Sequence, residues 1–153
     1  VENLIVDQIA KIGEKIEISH YEVLEAPVVY AYIHPGNRLA SLLSMNKTGF
    51  DEKGHDVAMQ IAAMAPLALN KDAVSADIIE KELEVYRVQI REEGKPENMV
   101  EKIAEGKLNK FFKENTLLSQ DFIKDSKKTV LQYLQEGDKD LTVTAFYRFM
   151  LGA

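Results

Sequence analysis

Three histidines are the side chains of this chain best suited to bind a metal ion or to transfer a proton. His20, His34 and His55 fall on three separate predicted elements, and none has a second histidine two or four residues away. Two imidazoles on one strand or helix need such a spacing to reach the same ion. The sequence therefore predicts no metal site.

The glutamates of a long charged segment are the other candidates for chemistry. Paired catalytic carboxylates need a cleft that drives their two pKa values apart. Here the glutamates alternate with lysine and arginine along a predicted helix, as on a solvated surface. We therefore assign that surface role to Glu80, Glu82, Glu84, Glu92 and Glu93.

Neither cysteine chemistry nor a nucleotide-binding loop is available. The 153 residues include no cysteine, which excludes disulfides, thiol nucleophiles and thiolate metal ligands. The sequence also lacks the Gly-x-Gly-x-x-Gly and Gly-x-x-x-x-Gly-Lys-Ser/Thr patterns that hold phosphates. We predict a protein that is not an enzyme, with no catalytic residue, no cofactor and no small-molecule substrate.

Charge and hydropathy direct attention to a protein partner. The formal net charge is -6 and the isoelectric point is near 5.1, whereas proteins that bind nucleic acid directly carry a basic surface. No apolar run approaches the length of a membrane span, and the start of the chain does not resemble a signal peptide. We predict no direct nucleic-acid or membrane contact and a cytoplasmic location. We also expect Val1 to be a processed end or a boundary within a longer protein, because the chain does not begin with methionine.

The best candidate for an exposed binding surface is the segment His34-Pro35-Gly36-Asn37-Arg38. Proline and glycine fix the backbone of a turn, while His34, Asn37 and Arg38 offer hydrogen bonds to another protein. The alternative is an ordinary polar turn, which the spacing alone favours because loops commonly contain these residue types.

The elements that must position this segment follow from local periodicity. Apolar residues at helical spacing predict a helix over residues 2–12, ended by Gly13. From Glu14 to Pro27 the period changes to two, which predicts a half-buried strand with a slip near His20. The β-rich residues 28–33 and the returning residues 38–45 predict an antiparallel hairpin with the turn at its tip.

A slender, alanine-rich helix is predicted next, over residues 54–66. Its alanines permit close packing beside an apolar stripe of Val57, Ile61 and Met64, and both Met59 and Met64 are predicted to belong to the core. The polar residues 47–54 are predicted to link the sheet to this helix, with His55 and Asp56 in its first turn and Pro66 at its end.

Residues 75–114 predict two antiparallel helices that project from the body like a coiled coil. Ser75 is the predicted N-cap, and Gly94-Lys95-Pro96 separates the helices. Their facing seams are predicted from apolar spacing to comprise Ile78, Ile79, Leu83, Tyr86 and Ile90 on one side and Met99, Val100, Ile103, Leu108, Phe111 and Phe112 on the other.

The C-terminal third completes an α+β fold. Residues 115–126 are predicted to be irregular, residues 127–136 helical, and residues 141–151 a strand with two packed faces. The predicted fold class is a small antiparallel sheet packed with helices, plus the protruding helical hairpin.

Several stretches, taken in order, resemble the elongation factor Ts family. The resemblance covers essentially the whole chain, and its most specific stretches are the central helix and the run Ile103-Ala104-Glu105-Gly106-Lys107-Leu108-Asn109-Lys110-Phe111. The other matching stretches are residues 9–16, the Tyr32-Ile33-His34 motif with Arg38, residues 74–76 and 80–82, Gly94-Lys95-Pro96, and residues 117–122, 126–130 and 146–149.

The resemblance implies a core and dimerisation domain over residues 1–153, with the helical hairpin at about 75–114 as an insertion. It implies elongation factor Tu as the partner, a homodimer as a further association, and a role in nucleotide exchange during translation elongation. In that family the histidine matched by His34 lies on the side that meets the third domain of elongation factor Tu. Asn37 and Arg38 are assigned to the same contact.

Two departures from the family pattern limit what this chain is expected to do. The family's Thr-Asp-Phe-Val motif, which disturbs the magnesium and phosphate side of the nucleotide site, has no counterpart here, nor has the N-terminal helical domain. Residues 39–43 also replace the glycine and valines that relatives often carry. We expect a fragment that docks on its partner but promotes GDP release poorly. The alternative is a stand-alone oligomerisation or helical-hairpin scaffold without exchange activity.

Overall fold

Helices and antiparallel strands are interspersed along the chain, which confirms the predicted α+β class. The structure, a computed structural model, describes residues 1–152. In chain order its elements are α1 (Glu2–Ile12), β1 (Val28–Ile33), β2 (Leu39–Met45), α2 (Asp51–Met64), a short 3-10 turn (Lys71–Ala73), α3 (Ala76–Glu92), α4 (Glu97–Asn115), β3 (Asp121–Phe122), β4 (Asp125–Thr129), α5 (Val130–Gln135) and β5 (Val143–Met150).

The main sheet has the strand order β1-β2-β5, and both strand pairs are antiparallel. The hairpin register pairs Ile33 with Ala40, and Leu39 pairs with Met150 of β5. The central strand β2 therefore receives hydrogen bonds from both sides, while β1 and β5 form the edges.

Helix α2 covers one face of this sheet and supplies much of the core. Alternation along β2 points Ser41, Leu43 and Met45 toward the helix, where all three are buried. The Ser41 hydroxyl donates a 2.6 Å hydrogen bond to the carbonyl of Ala58. Because alanine leaves the helix slim at this point, the strand and the helix approach closely.

Helix α2 begins earlier than the sequence predicted. It starts at Asp51, so residues 51–54 belong to the helix rather than to the connector, and His55 and Asp56 lie beyond the first turn. Asp51 and Glu52 supply the negative charge that favours a helix N-terminus. The prediction was wrong because glycine usually marks a break, whereas Gly54 is here a packing residue of the helix interior.

The end of α2 is as predicted, but its methionines are not core residues. Ala65 adopts φ 44°, outside the helical region that the following Pro66 disfavours. Met64 is 48 % exposed and Met59 is only half-buried. The apolar stripe predicted at helical spacing therefore stops at Ile61, since Met64 in the last turn is exposed.

Helices α3 and α4 lie side by side and run antiparallel. The Ser75 side chain accepts a hydrogen bond from the backbone N–H of Ile78, which confirms the predicted N-cap. Ion pairs join Arg91 to Glu97 near the connection and Arg87 to Glu101 further from it. The facing apolar cluster is smaller than predicted and consists of Leu83, Tyr86, Ile90, Val100, Ile103 and Ala104. Ile78 and Met99 lie outside it, at 37 % and 45 % exposure.

Residues 115–129 are more regular than predicted. They contain the small antiparallel pair β3–β4, which occupies part of the segment predicted to be irregular. The predicted helix over 127–136 is shorter, because Thr129 and Gln132 form a reciprocal capping box that starts α5 at Val130.

The strand predicted between Glu14 and Pro27 is not formed. Residues 14–26 form an arm without regular secondary structure, and the structure gives it no strand partner within residues 1–152. Ile18, Tyr21 and Val23 are 58 %, 82 % and 59 % exposed. An alternating pattern favours a strand only where a neighbouring strand is available to accept its hydrogen bonds.

Candidate functional site

The tip of the β1–β2 hairpin is a short turn with a fixed backbone. The His34 N–H donates to the carbonyl of Leu39 at 2.8 Å, and the Asn37 N–H donates to the carbonyl of His34 at 3.0 Å. Pro35 and Gly36 occupy the two central positions, and φ of Gly36 is 92°. This combination is typical of a type II turn, whose third residue requires a positive φ that glycine adopts without strain.

The residue that follows β5 also fixes the tip by a backbone hydrogen bond. The N–H of Leu151 donates a 2.8 Å hydrogen bond to the carbonyl of Arg38. Asn37 adopts φ 56°, a left-handed conformation that asparagine tolerates better than most residues. The backbone of the tip is therefore fixed by β1, by β2 and by the residue that follows β5.

His34 lies beside Tyr32 rather than beside Arg38. The two residues are separated by one position, so the period of two along β1 places their side chains on one face. The hydroxyl oxygen of Tyr32 and Nδ1 of His34 form a 3.0 Å hydrogen bond, and the ring centroids are 6.0 Å apart. His34 is exposed, whereas Tyr32 is half-buried against the core.

Asn37 and Arg38 line a groove on the other side of the tip. This groove, of about 250 Å³, lies between the tip, the arm of residues 14–26 and the end of β5. The arm contributes Ser19 and His20, and the ring of His20 lies 6.1 Å from that of Phe149. The remaining lining residues are all apolar: Leu39, Ala40, Phe149, Met150 and Leu151.

The groove combines a cation with an apolar surface. Within residues 1–152 the structure pairs no carboxylate with the Arg38 guanidinium. An arginine beside an apolar wall can receive a carboxylate and an apolar side chain from another protein. The arrangement suits recognition and contains no nucleophile paired with a base.

The three predicted site residues are thus divided between two neighbouring surfaces. His34 belongs to the β1 side with Tyr32, and Asn37 and Arg38 belong to the groove. Sequence reasoning assigned no role to Tyr32 or His20. The Tyr-x-His spacing on one strand could have indicated that Tyr32 lies beside His34. The position of His20 depends on the path of the arm, so no local pattern indicates it.

A second cluster of polar side chains lies around Asp56 on α2. The buried Asp56 carboxylate accepts hydrogen bonds from Lys124 Nζ at 2.6 Å and from the Tyr133 hydroxyl at 2.8 Å. Burial, followed by the hydrogen bond to Asp56, raises the pKa of Tyr133 far above its ordinary value. Tyr133 also stacks on Phe122, with ring centroids 4.0 Å apart. Both carboxylate oxygens have partners, so this cluster fixes structure and is not arranged for proton transfer.

Two further findings concern metals and membranes. Across residues 1–152, no three histidine, aspartate or glutamate side chains come together in an arrangement that could hold a metal ion. None of the helices in the same range has both the length and the apolar character needed to cross a bilayer.

Comparison with known proteins shows the family of the chain. The family model described as "Elongation factor TS" matches residues 1–153. An elongation factor Ts of Christiangramia forsetii is 49 % identical over 99 % of this chain and 56 % of its own length. Those of Flavobacterium psychrophilum and a Hydrogenobaculum species are each 49 % identical, over 97 % and 99 % of this chain.

The chain spans about half the length of these curated relatives, since the matches cover 56 %, 55 % and 54 % of them. The family model nevertheless matches this chain from its first residue to its last. The chain therefore belongs to the elongation factor Ts family.

Proposed function

We propose that this chain is part of a guanine-nucleotide exchange factor and binds elongation factor Tu during translation elongation in the cytoplasm. The observation that carries the proposal is the family match over all 153 residues. The hairpin tip supports it, because a fixed backbone presents His34, Asn37 and Arg38 with little conformational entropy left to lose on binding.

Exchange by such a protein requires no covalent chemistry. A factor that binds the nucleotide-free form of its partner more tightly than the nucleotide-bound form must weaken nucleotide binding by the same coupling free energy. In this proposal His34 contacts the partner by a hydrogen bond from the β1 side, and Arg38 receives a carboxylate at the groove.

Residues 1–153 form the core and dimerisation part of the factor in this proposal, with the helical hairpin at about 75–114 as an insertion. The sequence contains no Thr-Asp-Phe-Val motif. We therefore infer that the chain alone docks on elongation factor Tu but accelerates the release of GDP from it only weakly. GDP release measured with a fluorescent nucleotide tests this second part, and full stimulation by the chain alone would contradict it.

Calorimetric titration of the chain into nucleotide-free elongation factor Tu tests docking directly. We expect saturable binding that His34→Ala weakens about five- to thirtyfold, because the partner's buried acceptor loses its donor. Lys139→Ala is the matched control, since Lys139 is exposed in a distant turn. Absence of binding, or equal affinity of the His34→Ala variant, would reject the tip as the docking surface.

A homodimeric or scaffold role is the second candidate, and one surface favours it. Val85 and Val88 on α3 are 48 % and 49 % exposed, on the side of the helix away from Tyr86 and Ile90. Sedimentation equilibrium of the wild type and of Val88→Glu tests association through this face. We expect Val88→Glu to weaken self-association and Glu105→Lys, on the exposed surface of α4, to leave it unchanged. A monomeric wild type would reject this role.

A further inference from the structure

The Tyr32 hydroxyl is held in place by packing, and the His34 ring is not. Tyr32 packs against the buried cluster that contains Tyr30 and Leu43, whereas His34 is exposed at the end of β1. A 3.0 Å hydrogen bond between the Tyr32 hydroxyl and Nδ1 therefore links a packed side chain to an exposed one. It restricts rotation of the imidazole at the tip.

The direction of the same hydrogen bond is coupled to the position of the imidazole proton. A neutral imidazole carries one proton, and the nitrogen without it is an acceptor. A phenolic O–H that donates to Nδ1 requires the proton to be on Nε2, since the partner of one ring nitrogen sets the state of the other. Within residues 1–152 the structure gives Nε2 no hydrogen-bond partner that would oppose this choice.

We propose that Tyr32 is a positioning residue that holds His34 in the Nε2–H tautomer, so that the tip presents a hydrogen-bond donor to its protein partner. The group recognised is then an acceptor, a backbone carbonyl or a carboxylate. The docking part of this inference rests on the proposed function, whereas the tautomer is a property of the free chain.

The first test needs no partner. Long-range ¹H–¹⁵N correlation spectra of the imidazoles, recorded at a pH where His34 is neutral, report which ring nitrogen carries the proton. We expect a protonated Nε2 and an unprotonated Nδ1 in the wild type, and shifts averaged between the two tautomers in Tyr32→Phe. Tyr30→Phe is the matched control, because Tyr30 lies on the same strand but donates its hydroxyl to Asp51.

Two spectroscopic results would overturn the tautomer assignment. One is a wild-type spectrum with the proton on Nδ1. The other is a Tyr32→Phe spectrum identical to that of the wild type. His20 and His55 provide internal references in each sample, and loss of the His34 signals in His34→Gln assigns them.

The second test measures positioning by its effect on binding to nucleotide-free elongation factor Tu. We expect Tyr32→Phe to weaken binding about two- to tenfold, and to have no effect once His34 is alanine. His34→Gln should recover part of the affinity lost in His34→Ala, because its amide nitrogen lies near the position of Nε2 and donates. An unchanged affinity in Tyr32→Phe, with His34→Ala weakened, would overturn the positioning role.

The two tests separate failure of this inference from failure of the proposed function. If the wild type does not bind elongation factor Tu, the proposed function fails and the spectra alone decide the tautomer. If it binds and His34→Ala has no effect, the tip is not the docking surface and Tyr32 has no positioning role in docking.

Discussion

The ring of Tyr30 lies directly over Gly54 of helix α2, so closely that a β-carbon on Gly54 would overlap three carbons of the ring. Tyr30 is 5 % exposed and its hydroxyl donates a 2.8 Å hydrogen bond to Asp51. The ring therefore has no free space into which it can move. This contact explains a glycine inside a helix, where it costs stability relative to alanine.

We predict that Gly54→Ala destabilises the fold by about 2–4 kcal/mol, because the added methyl group displaces Tyr30 from a packed core. Urea denaturation measures the effect. Gly106→Ala is the matched control: it also lies inside a helix, but nothing lies within 4 Å of its would-be β-carbon. The free energy of unfolding of that variant should rise by about 0.5–1 kcal/mol. Similar effects of the two substitutions would contradict the close packing.

The buried Asp56 carboxylate should depend on Lys124 for part of its stability. Lys124→Met leaves the negative charge of Asp56 with only the Tyr133 hydroxyl as its side-chain partner, so we predict a loss of about 1–3 kcal/mol by denaturation. The control is Lys110→Met, which removes a 3.6 Å ion pair with Glu114 between exposed side chains. The free energy of unfolding of Lys110→Met should lie within about 0.5 kcal/mol of that of the wild type. A cost for Lys124→Met no larger than that of the control would show that Asp56 does not need the cation.

The stability of the fold should fall at alkaline pH through Tyr30. Burial, followed by the hydrogen bond to Asp51, raises the pKa of Tyr30 from 10.0 to about 12. Between these values the unfolded chain has released the phenolic proton and the folded chain retains it, so unfolding becomes easier as pH rises. The contribution is complete below pH 10 and is lost as pH approaches 12.

Denaturation of the wild type and of Tyr30→Phe at several pH values between 9 and 12 measures this contribution. We expect the stability advantage of the wild type over Tyr30→Phe to shrink as pH rises through this range. A constant difference between the two proteins would show that Tyr30 ionises equally easily in both states.

Two buried glutamines should fix the base of the helical pair. The Gln120 amide nitrogen donates to the carbonyls of Met64 and Glu114, and its oxygen accepts from Gln60. Gln120→Leu removes the side-chain donor to the Met64 and Glu114 carbonyls and one of the two hydrogen bonds of the Gln60 amide nitrogen. We therefore predict that it lowers the free energy of unfolding by about 2–3 kcal/mol. Gln135→Leu is the control, since Gln135 is exposed and its amide donates a 3.4 Å bond to the Lys139 carbonyl.

Hydrogen exchange locates the effect of Gln120→Leu. The amides of Leu117 and Leu118 donate to the carbonyls of Ala68 and Leu69, which joins the two chain segments that lead into and out of α3 and α4. We expect faster exchange at these two amides in Gln120→Leu and no change in Gln135→Leu. Unchanged protection would place the anchoring of the helices elsewhere.

Local patterns in the sequence predicted much of the helical structure and the hairpin because they encode backbone preferences of single segments. Helical spacing before Gly13 predicted α1, and Gly13 adopts φ 79° as a helix-ending glycine does. The sequence Pro35-Gly36 likewise specified its turn without help from distant residues, because the proline ring fixes its own φ and glycine adopts the positive φ of the next position without strain.

The same reasoning failed where one pattern is compatible with two environments. Met64 continues an apolar stripe, but nothing in the stripe shows that its side chain is 48 % exposed. Gly54 reads as a helix boundary until the ring of Tyr30 is seen against it. Exposure and close packing depend on residues far away in the chain. A single sequence does not show which of those residues come into contact.

For the site, local sequence is enough to place the turn, His34, Asn37 and Arg38 at the hairpin tip, with a tyrosine two residues before the histidine. How these groups are divided between two surfaces depends on the packing of distant segments. The tertiary structure brings the arm and the end of β5 against Arg38 to make a groove, and it packs Tyr32 so that its hydroxyl meets His34. Side-chain types and turn preferences are local, whereas the groove and the packing of Tyr32 arise from contacts between segments that are distant in the sequence.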